Sequence, residues 1–259
     1  MNLLQEIDQT NSPSPALWWL GHSGFIVKCH GMVFYVDPCL STPPGRSRSF
    51  PPPLQASEAT NADLILCTHA HAAHMDPGTL PGLLSASPRA KVLLPKSTVE
   101  HASSIGVSHD RMTSTDSDLR VEYFKDGLYG RVYAIPSAHP ALDWTPLGGY
   151  PHLGYLMRFG AYTIYHAGDC CLYDGIVGRL LPYNVSVALL PISGEGNFQI
   201  AEAAQLAEDI HARWLVPMHY GAFADDGPQI VNRFINHMLG FRPSIGFKVF
   251  EPGERWIVP

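Results

Sequence analysis

Four short apolar runs in this 259-residue chain each give way, within a few residues, to a histidine or an aspartate. Leu64-Ile65-Leu66-Cys67 leads to His69, His71 and His74, and Val132-Tyr133-Ala134-Ile135 leads to His139. Tyr162-Thr163-Ile164-Tyr165 leads through His166-Ala167-Gly168 to Asp169, and Trp214-Leu215-Val216-Pro217 leads to His219. Apolar runs this short read as buried strands. The polar residues therefore fall on loops at strand ends, where a rigid scaffold positions binding and catalytic groups. Neutral imidazole is the commonest protein metal ligand, and His69 and His71 can point the same way in an extended turn. One such histidine alone is more often structural; four strand ends carrying such residues together point to a metal centre.

The rest of the chain supplies the scaffold. Leu17-Trp18-Trp19-Leu20, Phe25-Ile26-Val27-Lys28 and Met32-Val33-Phe34-Tyr35-Val36 read as strands broken by Gly21, Gly24 and Gly31. A loop rich in proline and serine runs from Ser41 to about Ala56. A helix is expected over 77–84, with Pro77 at its first position. A strand follows over 91–95, then a helix over 97–105 capped by Ser97. Further strands are expected over 119–124, 131–135, 153–159, 162–165 and 185–190, with helices over 200–210 and 228–239 and a β-rich end. Two strand-rich halves with interspersed helices, and no repeat or linker between them, predict one domain over 1–259. Its fold class is α/β, an αβ/βα sandwich of two sheets face to face with helices outside.

Composition narrows the function classes. Hydrophobic residues make up 46% and charged residues 15%, enough for a sizeable core. The net charge is −6 and the 17 Lys and Arg form no basic run, which argues against nucleic acid as a partner. No stretch approaches 18 consecutive apolar residues, and the N-terminus lacks the pattern of a signal peptide. Cys29, Cys39, Cys67, Cys170 and Cys171 are odd in number and follow no framework, so they are expected to be reduced thiols in a cytoplasmic protein.

Five segments give the chain a wider likeness. Gly21-His22-Ser23-Gly24, Val36-Asp37-Pro38, Thr68-His69-Ala70-His71-Ala72-Ala73-His74-Met75-Asp76, Gly168-Asp169 and Met218-His219-Tyr220-Gly221 together resemble the metallo-β-lactamase superfamily. Within it, Leu94-Pro95-Lys96-Ser97-Thr98-Val99 and His166-Ala167-Gly168-Asp169 are most similar to the L-ascorbate-6-phosphate lactonase (UlaG-like) branch. The N-acyl-phosphatidylethanolamine phospholipase D group shares the general pattern. The resemblance implies a four-layer αβ/βα fold and a hydrolase that uses a metal-bound hydroxide. It implies a first metal site of His69, His71 and His139 with Asp169 bridging. A second site would use Asp169, His74 and His219, plus an aspartate at position 73. Asp37 would orient a ligand histidine, and His22 and His166 would lie just behind the ligands. Either Zn2+ or Mn2+, one or two ions, suits such donors.

Position 73 departs from the pattern. The family's H-x-H-x-D-H signature has aspartate where this chain has Ala73. A methyl group neither coordinates a metal nor accepts a proton, so the second site should be weakened. Because the rest of the constellation is complete, an Asp→Ala replacement in an otherwise competent hydrolase is favoured over a natural pseudoenzyme. Asp76 is not expected to substitute. The likeness implies a small-molecule substrate, a lactone or similar ester of a sugar acid, with Arg46 and Arg48 available to a carboxylate or phosphate. Trp144, His152, Glu195, Asn197 and Tyr220 lie near the ligand loops and are expected to shape the pocket. A metal-dependent phosphodiesterase and a catalytically dead binding protein are the rival readings, and a homo-oligomer is compatible with the fold.

Overall fold

A computed structural model describes residues 2–227, 229–241 and 243–259. Strand β1 (Ala16–Gly21), β2 (Gly24–Cys29), β3 (Met32–Val36), β4 (Leu64–Leu66), β5 (Lys91–Pro95) and β6 (Met112–Thr115) form one sheet, in chain order. Strands β7 (Arg120–Lys125), β8 (Leu128–Pro136), β9 (Leu153–Phe159), β10 (Tyr162–His166), β11 (Val187–Pro191), β12 (Trp214–Met218) and β13 (Gly246–Phe247) form the other. Strand β14 (Arg255–Ile257) returns to pair with β1. Both sheets are mixed. β1 to β3 pair antiparallel and β3 to β6 parallel; β7 to β10 pair antiparallel and β10 to β13 parallel.

Side-chain alternation explains the layers. In β3, Met32, Phe34 and Val36 join the core between the sheets, while Val33 and Tyr35 join a second core on the outer face. Leu17 and Trp19 of β1 face inward and Ala16, Trp18 and Leu20 outward. A strand apolar on both faces must be covered on both. Helices α1 (Leu3–Gln9), α2 (Leu80–Ala86) and α3 (Val99–Ser104) contribute Ile7, Leu80, Leu83, Leu84 and Ala102 to the outer core. Helices α4 (Ile176–Leu180), α5 (Ile200–Asp209) and α6 (Ile230–Phe241) cover the second sheet through residues such as Leu180, Leu206 and Phe234. The result is the expected αβ/βα arrangement.

Three expectations need correction. Pro77 does not open α2: Asp76 accepts from the Gly78 amide, a turn fills residues 77–79, and the helix begins at Leu80. Ser97 does not cap α3, because a 3-10 turn over Lys96–Thr98 precedes it and the Thr98 hydroxyl donates back to the Pro95 carbonyl. The last helix runs over Ile230–Phe241, and Pro228, where it was expected to start, lies outside the described residues. All five cysteines are free. Among the described residues, no helix is long and apolar enough to cross a membrane.

Candidate metal centre

The loops that follow β1, β3, β4, β8, β10 and β12 meet at one edge of the sandwich and centre on Asp169. Its two carboxylate oxygens face different histidines. Oδ2 lies 3.6 Å from His69 Nε2 and 3.8 Å from His139 Nε2. Oδ1 lies 3.2 Å from His74 Nε2 and 3.3 Å from His219 Nε2. His71 joins His139 and Asp169 in a group whose potential donor atoms lie within 4.8 Å of one another. His152 groups in the same way with His69 and His71, and His22 with His74 and His219.

The partners behind these rings fix their orientation. His74 Nδ1 is 2.7 Å from Asp37 Oδ2. The Asp37 carboxylate also accepts from the Thr68 amide at 2.8 Å and the Thr68 hydroxyl at 2.7 Å. That hydroxyl lies 3.0 Å from His69 Nδ1. His139 Nδ1 donates to the Gly196 carbonyl at 2.8 Å, leaving Nε2 toward Asp169. Carboxylates and carbonyls behind ligand histidines hold the tautomer and ring angle that metal binding needs. Gly168 lets the Asp169 loop close on Thr68: it has φ +64, and a Cβ there would stand 2.8 Å from Thr68 Cβ. His22, Asp37, Glu195 and His219 also have positive φ, a cost of about 1–3 kcal/mol each that clusters at functional sites.

Whether these residues suit a metal is tested by their unused atoms. His69 Nε2, His74 Nε2, Asp169 Oδ1, His219 Nδ1 and both ring nitrogens of His22 are buried without a hydrogen-bond partner. Buried polar atoms are rarely left unpaired. Imidazole nitrogens and a carboxylate turned toward shared space form a donor set for a divalent cation, so the residues fit the group.

In the metal-free chain the charge balance centres on Asp169. Burial opposes ionisation of Asp169, but His74 and His219 hold it well below the usual carboxylate range. Burial also works against charge on His74, yet Asp169 and Asp37 on either side push it up to about 10. His69 and His71 are lowered, chiefly by burial. Burial and the neighbouring His139 and His71 bring His152 down to about 4, which keeps it neutral.

Other candidates fall elsewhere. His166 is turned away from the ligands; its Nε2 donates to the Ser23 carbonyl at 2.8 Å and its Nδ1 accepts from the Gly168 amide at 3.1 Å. It therefore braces the turn that carries His22. Both oxygens of Asp76 are committed to Ser41, Gly78 and Thr79. Ala73 is half-buried against Cys39, Ala222 and Phe223.

A cavity of ≈ 710 Å³ opens over Asp169, lined by Arg46, Glu195, Asn197, Gln229 and Arg233 among others. Arg46 is already paired with Asp225 and Asp226. Arg48 does not line this cavity; its guanidinium donates to the Ser41, Cys39 and Phe50 carbonyls. Asn197 Oδ1 accepts from the Cys170 amide at 2.9 Å. Trp144 is 55% exposed and away from the cavity, and Tyr220 is buried and stacked on Trp19. Sequence reasoning missed Thr68, Gly196 and Arg233. The position of Thr68, directly before the first histidine at a strand end, was the one available signal.

Comparison with known proteins adds the lineage. A beta-lactamase superfamily domain model matches residues 16–219. A UPF0173 metal-dependent hydrolase of Caldivirga maquilingensis is 29% identical over 249 residues, covering 92% of this chain and 96% of its own. A UPF0173 protein of Pyrococcus furiosus is 30% identical over 211 residues, covering 82% and 86%. Among solved structures, Igni18, a metallo hydrolase from Ignicoccus hospitalis, superposes with a TM-score of 0.72 at 23% identity, covering 94% of this chain and 97% of that one.

Proposed function

From its membership of the metallo-β-lactamase superfamily of metal-dependent hydrolases, we propose that this chain opens a lactone or similar ester of a sugar acid, by way of two metal positions that share Asp169. One observation carries the two-position reading: Asp169 Oδ2 faces His69 and His139 while Oδ1 faces His74 and His219. When bound, zinc or manganese would supply Lewis acidity and a lowered pKa for water.

The chain's residues do the rest. Asp37, Thr68 and Gly196 hold the histidines with Nε2 forward. The cavity presents Arg46, Asn197, Gln229 and Arg233, polar groups suited to a hydroxylated acid. Likeness to the lactonase branch supports the substrate class. In lactone opening, water oxygen adds to the carbonyl carbon, the ring C–O bond breaks, and the departing alkoxide takes up a proton. An aspartate at position 73 would accept the proton from water; Ala73 accepts none, so the chain as it stands is a slow or silent form of the enzyme. A cytoplasmic location rests on the five free cysteines.

The test compares hydrolysis of a panel of sugar lactones, with zinc or manganese added, by this chain and by Ala73→Asp. The variant is expected to be faster by about 10²–10⁴, the usual contribution of a positioned proton acceptor. Two inert, metal-loaded proteins would sink the lactonase reading. Cleavage of bis(p-nitrophenyl) phosphate would then favour a phosphodiesterase, and inertness there as well a binding role.

A further inference from the structure

We propose that His22 is a ligand of the second metal position and takes the place that Ala73 leaves open. The inference rests on the two-position reading above and changes the composition of the second position, from two histidines and two carboxylates to three histidines and Asp169.

His22 is fully buried, and neither ring nitrogen has a hydrogen-bond partner. A neutral imidazole always carries one N–H and one lone pair, so an orphaned buried ring leaves both unsatisfied. The ring is aimed at the site. Its centroid is 3.9 Å from that of His219 and 5.4 Å from that of His74, and one donor atom from each of the three lies within 4.8 Å of the others. Nitrogens bound to a single tetrahedral zinc at about 2.0–2.1 Å stand roughly 3.4 Å apart, so small rotations bring the three into register. A cavity of ≈ 290 Å³ is lined by His22, Ala73, His74, Asp169 and His219 together.

The backbone at His22 is built for this aim. Its φ is +53, a region uncommon for any residue other than glycine. Hydrogen bonds hold it there: the His22 carbonyl accepts from the His219 amide at 3.0 Å and from Trp19 Nε1 at 3.1 Å. The neighbouring Ser23 carbonyl is held by His166. Two other candidate site residues, His219 and His166, thus fix the turn that points His22 inward. The side of the site occupied by Ala73 is apolar, bounded by Cys39, Ala222 and Phe223.

The ligand class follows from the donors. Imidazole suits zinc, whereas carboxylate and water suit manganese. Three imidazoles and one carboxylate therefore make the second position favour zinc over manganese.

The experiment is metal analysis by mass spectrometry on whole chains loaded with zinc, competed with equimolar manganese and dialysed. The unaltered chain is expected to retain two zinc ions, and His22→Gln one. Combining His22→Gln with Ala73→Asp should regain the second ion by restoring the carboxylate. Two ions in both the unaltered chain and His22→Gln overturns the proposal, as does a single ion in both. No bound metal in the unaltered chain overturns the hydrolase reading on which it rests. If His22→Gln fails to fold, anomalous diffraction from the zinc-loaded unaltered chain decides. A His22 nitrogen within about 2.0–2.1 Å of the second zinc supports the assignment, and a ring that does not reach the ion overturns it.

Discussion

Asp37 touches His74 through Nδ1 at 2.7 Å, which leaves Nε2 as the only atom of that ring free to meet Asp169. Asp37→Asn removes the charge that holds the ring and should lower metal affinity roughly 10–100-fold, read by competition with a chromophoric chelator. Gly196 does the same work for His139 with a carbonyl. A Cβ at Gly196 would stand 3.1 Å from His139 Cε1 at φ +91. Gly196→Ala should therefore displace the ring, weaken metal binding in the same assay, and cost about 1–2 kcal/mol of stability from the left-handed backbone. The histidines and Asp169 were legible in the sequence because their residue types are rare at strand ends and carry the chemistry themselves. Thr68 and Gly196 were not, because a hydroxyl and a glycine carbonyl acquire their roles only from neighbours that the fold brings to them. The sequence places His152 at the pocket; its ring packs 4.8 Å from that of His69, in among the donors.

At the scale of elements, β3, β4, β11 and β12 were legible because they are buried on both faces and so read as unbroken apolar runs. Two short elements without that signature escaped notice. β6 is the short edge strand Met-Thr-Ser-Thr, and α4 spans only Ile176–Leu180. The loop from Ser41 onward was legible as a loop but not for what it does. It is stitched to the segment after His219: the Ser49 amide donates to the Ala222 carbonyl at 2.9 Å and the Ala224 amide to the Ser47 carbonyl at 2.9 Å. Arg48 holds this stitch by gathering three carbonyls. Arg48→Ala should cost about 1–3 kcal/mol, seen as a lower midpoint in urea unfolding, and should speed proteolytic cleavage within 41–56. An unchanged midpoint and cleavage rate would show that the loop is held by its backbone pairs alone.

Across the whole molecule, buried histidines set the pH response of the metal-free chain. His22, His69 and His166 are lowered below the ordinary value of 6.5, chiefly by burial. The unfolded chain gains protons at these groups as pH falls through 6.5 while the folded chain resists them. Stability therefore drops below that pH, by up to about 1.4 kcal/mol per pH unit for each group. His74 acts in the opposite sense. It is raised to about 10, so its contribution is complete below 6.5 and is lost as pH rises through about 10. Calorimetry of chelator-treated protein should find maximal stability near neutrality, and a melting temperature that keeps rising down to pH 5 would contradict this. Adding zinc at roughly 100 times its dissociation constant should stabilise the fold by about 2.7 kcal/mol. The donors are divided between the sheets: His22, His69, His71 and His74 hang from loops of one, and His139, Asp169 and His219 from loops of the other. Whatever cation they grip is a rivet through the seam between two leaves, set at the rim where the cavity opens. The proposed chemistry and an added hold between the two sheets would then draw on the same bonds.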